Sequence, residues 1–494
     1  PASAAASASA QPVAGGTLRV GQVGDLTTAD PSFSSGLVES VYAAHDRLTA
    51  YDLKHQPQPM LAESWDETPD DKQITFHLRK GVMFHNGREM TSDDVKFNVV
   101  RLQSGGFNGQ LQGQAKWWTN ITTPDKYTIV LQSDASRPAM FDFFEQVNIT
   151  DPVTAQGPDA KSKVVGTGPF VFDEWVQGDH IKLSKNKNYW RSGLPYLDGV
   201  MVSILKDTQA MIAQFEAGAL DIAGGTAGGT PVSDYIRLKA DTSKYIGILH
   251  PDSGAVSTIG VSATKPPFDN KQVRQAFQWA IDRQRFNDTI LKGTGIAGSI
   301  PWGPNSPAYD QAQDNFYKFD LDKAKSLLQQ GGVTKLDIDL IVTSGNAETD
   351  AFDQVYQADL AKIGVNVNIK GMDPATWIDT VNKVKFFGVW VGGIAYTQLE
   401  PSTALLSSRG LSPTANSSGF VSDKYTSLVN QSAEEPDAAK RKDLYHQIND
   451  LMLDESFLDI LSKTPSRLLT TVKVHGLAPT LHGTFIETET WLSK

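Results

Sequence analysis

The residues able to do chemistry are scattered along this chain, and few stand at the spacings chemistry needs. Nine histidines occur with no pair three or four residues apart, so no helix face offers two imidazoles to one metal. Cysteine is absent, which removes disulfides, thiolate metal sites, iron–sulfur ligation and cysteine nucleophiles. His77 and His85 flank a strand and a turn, where packing and hydrogen bonding are their expected work. No phosphate loop ending in Gly-Lys-Ser/Thr, no GxSxG elbow and no HExxH pair is present. Gly293-Thr294-Gly295-Ile296-Ala297-Gly298 spells GxGxxG, but it follows a helical pattern and runs into Ser299-Ile300-Pro301. Dinucleotide binding needs a strand before that motif and a helix after it. A hydrolase would have to use carboxylates such as Glu348, Asp350 or Glu400, and no activating base or nucleophile accompanies them. The expectation is a protein that is not an enzyme, with no cofactor and no metal.

The aromatic residues carry more information. Trp117 and Trp118 stand together in GGFNGQLQGQAKWWTN, a weakly patterned stretch rich in Gly and Gln. Trp390 and Tyr396 frame a Gly-Gly pair, read as a loop, in GVWVGGIAYTQLEPS, and Trp302 lies in IPWGPNSP. Large rings outside helical stripes can serve as flat surfaces for a ligand, and they can equally fill a core. Trp175, Trp190, Trp279 and Trp377 sit in patterned segments and read as structural.

The elements that must position these residues alternate between strand and helix, which indicates an α/β protein. Ile74, Phe76 and Leu78 alternate in a half-buried strand, and Thr91-Ser92-Asp93-Asp94 opens a helix with Val95, Val99 and Leu102 on one face. Val200, Val202 and Ile204, a helix over 208–217 stopped by Gly218, and the strand 219–222 form one βαβ unit. A second unit runs through the strand at 336–342, an amphipathic helix over 352–363 and the strand at 365–369. Between them KQVRQAFQWAIDRQRFNDTIL reads as one strong helix, with a shorter one from Asp320 to Gly331 and a last long one over 437–454. Two α/β units on one chain suggest two lobes with a cleft between them.

The chain has 494 residues, too many for one ordinary core; about three domains are expected. A net charge of −11 argues against nucleic acid or an anionic membrane surface as partner. No run approaches the length of a membrane span. Residues 1–16, PASAAASASAQPVAGG, read as a flexible tether such as follows a signal-peptide cleavage site, so an exported protein is expected.

Taken together, six ordered segments resemble the family 5 extracellular solute-binding proteins of ABC importers, the class of dipeptide-, oligopeptide-, nickel- and opine-binding receptors. They are PMLAESWDETPDDKQITFHLRKGVMFHNGREMTSDDVKF (59–97), VGTGPFVFDEW (165–175), NKNYWRSGLPYLDGV (186–200), PPFDNKQVRQAFQWAIDRQ (266–284), DLDKAKSLLQQGG (320–332) and IGVNVNIKG (363–371). The resemblance implies a periplasmic-binding-protein-like fold of two lobes joined by a hinge, with an extra subdomain in the first lobe. It implies a tether over 1–16, a main subdomain over 17–45, 165–255 and 475–494, an extra subdomain over 46–164, and a second lobe over 256–474. It further implies a periplasmic or otherwise extracytoplasmic monomer that closes on a small solute and delivers it to the membrane permease of an ABC importer. Ligand contacts in this class come from the loop after the first strand, here Phe33 and Ser34, and from the loop holding Trp390, Tyr396, Gln398 and Glu400. Trp117 and Trp118 complete the expected ligand-binding set. Dipeptide-type members place an Asp in the second loop and an Arg ahead of the helix beginning near Ala351. This chain has Glu400 before Pro401, and Glu348, Thr349 and Asp350. Those departures weaken a plain dipeptide reading and leave oligopeptides, opines, sugars or cationic organic solutes.

Overall fold

The computed structural model describes residues 11–33, 39–106, 109–163, 165–224, 229–394, 399–481 and 485–494. The period-two segments form strands and the capped segments form helices. Ile74, Phe76 and Leu78 are buried on one face of Gln73–Leu78, the second strand of a four-stranded antiparallel sheet. Helix Ser92–Gln103 starts at Thr91 with a capping box closed by Asp94, which satisfies donors a helix start leaves orphaned. This sheet, helix Ser92–Gln103 and helix Met140–Gln146 enclose a core of their own, with Phe76, Trp118, Phe143 and Phe144 in mutual contact.

The larger sheet has ten strands and runs through both lobes. At one end Thr17–Val23 pairs in parallel with Gly199–Leu205 on one side and Ile222–Ala223 on the other. The two strands of the first βαβ unit therefore do not touch: the N-terminal strand lies between them. The second unit is simpler, since Leu336–Thr343 and Val365–Met372 pair directly in parallel. Helix Ala347–Lys362 connects them and buries Phe352, Tyr356 and Leu360.

Two long antiparallel strands, Tyr245–Val261 and Leu458–Thr471, join the halves. Val256, Ile259 and Val261 of the first, and Leu458, Ile460 and Leu461 of the second, belong to the core of the second lobe. Ile248 and Leu468 pack into the core built on Leu18, Val20 and Val202, and Leu469 into the one around Met211 and Phe215. Leu468 and Leu469, assigned from sequence to the second lobe, thus pack into the first, because each long strand serves both. The ladder between them is interrupted where they cross: register shifts between His250 and Ala255, opposite the stretch Thr464–Ser466. Pro465, in that stretch, has no N–H to give to a ladder. Such bulges bend a strand and loosen its pairing locally.

The single helix read over 271–291 is broken. It runs Lys271–Trp279, stops, restarts over Arg283–Arg285 under a cap from Asp282, and ends in a π turn at Phe286–Ile290. At the break the Arg283 guanidinium turns inward and donates to the Gln278 and Ile460 carbonyls.

Candidate functional site

Among the described residues, polar ties cross between the lobes at two places in particular. Near the crossing strands, Arg467 donates to Glu348 at 2.6 Å and to the Thr230 carbonyl at 3.0 Å. Glu348 stands in the first turn of the second-lobe helix Ala347–Lys362 and also accepts from the N–H of Val232, which opens the first-lobe helix Val232–Lys239. One carboxylate therefore ties a hinge strand and a helix of the first lobe to the second lobe.

The other place lies between the extra subdomain and the second lobe. Asp142, on helix Met140–Gln146, accepts from the Glu400 N–H at 3.1 Å and from the Thr403 hydroxyl, both at the start of helix Pro401–Ser407. Its other oxygen accepts from the Tyr51 hydroxyl at 2.9 Å. Burial, with the Glu400 carboxylate nearby adding to it, pushes the Asp142 carboxyl up to about 8, against the hydrogen bonds that favour its charged form. Beside it, Arg137 of the extra subdomain lies 3.6 Å from Glu434 of the second lobe and 5.2 Å over the ring of Trp117.

The residues expected to touch ligand separate into three groups. Ser34, Tyr396 and Gln398 lie outside the described residues. Phe33 and Trp117 are half-buried with cations over their rings: Arg101 and Lys161 over Phe33, Arg137 over Trp117. Arg101 also grips Asp30 at 2.5 Å, fixing the turn that carries Phe33 against the extra subdomain. Trp118, Trp390 and Glu400 are committed within their own lobes. Trp118 stands in the strand Trp118–Asp125 with its ring 5.6 Å from that of Phe144. Trp390 is in a strand, Gly388–Ile394, and not in a loop. Its ring covers Gly260, where an added Cβ would lie 2.2 Å from the indole, and meets Trp377 edge-on at 5.9 Å. Gly392, taken with Gly393 as a loop signal, stands where two indoles need the room: an added Cβ would lie 2.7 Å from Trp377. The Glu400 carboxylate accepts from Arg441 at 2.9 Å and from the Tyr445 hydroxyl at 2.7 Å, so it faces its own lobe.

Other sequence signals resolve into packing. A Cβ on Gly298 would strike the buried pair of Asp314 and Lys463, so that part of GxGxxG keeps space for an ion pair. Trp302 is fully buried and donates to Asn449 at 2.8 Å. His85 bonds the Gly168 carbonyl and His77 pairs with Asp66. Asp142, Arg467 and Arg137 were not among the residues singled out from sequence. Nothing in FDFFEQ marks Asp142 locally, since its partners lie far along the chain.

A two-lobed α/β molecule joined by two long strands, with a few buried polar ties across the boundary, is a binding-protein architecture. The chain belongs to the bacterial extracellular solute-binding proteins, family 5, whose middle-region model matches residues 56–416. It is 28% identical over 428 residues to the heme-binding protein A of Haemophilus influenzae, covering 79% of this chain and 76% of that protein. It is 27% identical over 410 residues to the oligopeptide-binding protein AppA of Bacillus subtilis, covering 77% and 73%. Among solved structures, the binding protein AgaA of A. tumefaciens in complex with agropinic acid superposes with a TM-score of 0.83 at 25% identity, over 97% of this chain and 99% of that one. The DppA protein of Helicobacter pylori in complex with the peptide STSA gives 0.84 at 23% identity, over 98% and 99%. The fold is the two-lobe fold of periplasmic binding proteins, and the chain is a solute-binding receptor of the ABC-importer class.

Proposed function

We propose that this receptor captures an oligopeptide-like organic solute between its lobes and passes it, as a monomer outside the cytoplasm, to the permease of an ABC importer. The observation that carries this reading is the pair of strands Tyr245–Val261 and Leu458–Thr471, which cross between the lobes at an interrupted ladder. Such a crossing lets two rigid cores rotate while their packing stays intact. A solute drives closure only by binding the closed form better. Moving the populations from 1:99 to 99:1 takes about 5.5 kcal/mol of differential affinity. A few hydrogen bonds and one or two buried apolar groups suffice for that.

In this reading Phe33, Ser34, Trp117, Tyr396 and Gln398 contact solute, while Trp118, Trp390 and Glu400 hold the surfaces behind them. The relatives named above are described as binding heme and oligopeptides, and the superposed structures hold agropinic acid and a peptide. A second reading, an opine-like solute, is favoured by Glu400. Its carboxylate is turned to Arg441 and Tyr445, which leaves it poorly placed to receive the free ammonium of a peptide. Native mass spectrometry of the purified protein, followed by denaturation and identification of the released solute, tests both. Release of intact peptides supports the first reading and release of an opine the second. Recovery of chemically altered solute after incubation would contradict a receptor that performs no chemistry.

A further inference from the structure

We infer that Asp142 is a latch between the lobes that engages as a neutral carboxylic acid, so that closure of the receptor takes up a proton. The inference rests on the hinge-closure reading and deepens it. Asp142 is 1% exposed, and its three partners are the Tyr51 hydroxyl, the Thr403 hydroxyl and the Glu400 N–H. No cation is among them. The partners from the second lobe, Thr403 and Glu400, are lost when the lobes part, and water takes their place.

Among the described residues no cation hydrogen-bonds this carboxyl, and Arg137, just before its helix, lies 3.6 Å from Glu434 instead. On its own helix Glu145 is paired with Arg47 at 2.7 Å, both nearly fully buried. The strand Thr49–Tyr51 contributes only the Tyr51 phenol, and helix Gly109–Ala115, also packed against it, has no titratable group. From the second lobe come Glu400, held by Arg441, and the Tyr445 phenol bonded to the same oxygen. Each guanidinium is thus matched by another carboxylate. Further out, Asp46 lies beside Arg47, Asp71 feels Arg441, and the His55 ring stands 6.3 Å from that of Tyr51. A proton on Asp142 supplies the missing neutrality. The hydrogen bonds survive it, because either hydroxyl can turn from donor to acceptor while the Glu400 N–H still donates to the remaining lone pair.

The direction of the pH effect follows. In the open form Asp142 meets water and titrates in the ordinary range, about 4. In the closed form it is pushed up to about 8. The closed form therefore binds the proton more tightly. Its advantage is complete below the open-form value and is lost as pH rises through the closed-form value.

Because the chain has no cysteine, spin labels go only where they are placed. Labels at Lys72→Cys and Lys440→Cys, both exposed and on opposite sides of the boundary, report open and closed separations by pulsed dipolar spectroscopy. Measurements are made at pH 5 and pH 8.5 in excess casein hydrolysate. The ratio of closed to open is expected to be at least about tenfold higher at pH 5, the equivalent of one pKa unit. D142N, a neutral shape mimic, should keep the high ratio at both pH values, and T403V should lower it at pH 5 without unfolding. Two separations whose ratio ignores pH, or a D142N response equal to that of the parent, would overturn the latch and leave hinge closure standing. One unchanging separation under every condition would overturn both.

Discussion

Arg467 and Glu348 meet at 2.6 Å across the boundary of the lobes, and the same carboxylate accepts the N–H of Val232. The arginine is nearly buried and the glutamate only partly so. Removing one partner strands the other in a place where water reaches it poorly. Arg467→Ala should cost about 2 kcal/mol of stability in urea unfolding, less than a fully buried pair because Glu348 keeps some solvent. A double-mutant cycle with Glu348→Gln should return a coupling energy above about 0.5 kcal/mol, and additivity would show that the contact is incidental.

Trp390 is expected to act on stability before binding. Its indole fills the space over Gly260 and against Trp377, so Trp390→Ala leaves a large cavity and should cost about 3–5 kcal/mol. Gly260→Ala, which drives a methyl into the same ring, should destabilise from the opposite direction. Chemical denaturation of both variants checks this; a fully stable Trp390→Ala would mean that the ring is a ligand surface and not a filler.

Trp117 and Arg137 make the contrasting case. The Trp117 ring is half-buried under a guanidinium that also approaches Glu434. Arg137→Ala should change stability by about 1 kcal/mol or less, since the pair is long and its Glu434 end is exposed. It should nevertheless shift solution scattering toward the larger, open dimensions, because it removes a tie made only when the lobes meet.

Asp353 supplies a pH test inside one lobe. Both its oxygens are buried without a hydrogen-bond partner, and burial, with Asp350 adding, pushes it up to about 7. An acid raised on folding favours the folded state below its unfolded value and loses that contribution as pH rises through the folded one. Asp353→Asn should therefore be nearly neutral at pH 4 and stabilising by about 2 kcal/mol at pH 8. Denaturation at the two pH values decides it, and equal effects would place Asp353 in water.

What could be read from sequence was what depends on near neighbours. Thr91 and Asp94 are three residues apart and close their capping box within one turn. Ile74, Phe76 and Leu78 declare their buried face by alternation alone. The six family segments placed the fold over most of the chain. The residues at the boundary were hidden for the opposite reason. Glu400 looked available until Arg441 and Tyr445, more than forty positions away, were seen to hold it. Asp142 sits in an apolar helix whose partner is 261 positions distant. Gly392 suggested a turn because local rules cannot tell a glycine that bends the chain from one that makes room for Trp377.

The strand Leu458–Thr471 lies between Tyr245–Val261 and Ile222–Ala223, in the middle of the ten-stranded sheet. A chain emerging from its N-terminus consequently has every other strand of that sheet available before this one. Until it arrives, Ile222–Ala223 and Tyr245–Val261 present unpaired edges, and the cores that receive Leu461 and Leu469 stay open. Neither lobe can finish first. Closure of the large sheet is a single late event, in which its last strand threads both halves at once and creates the hinge in the same step.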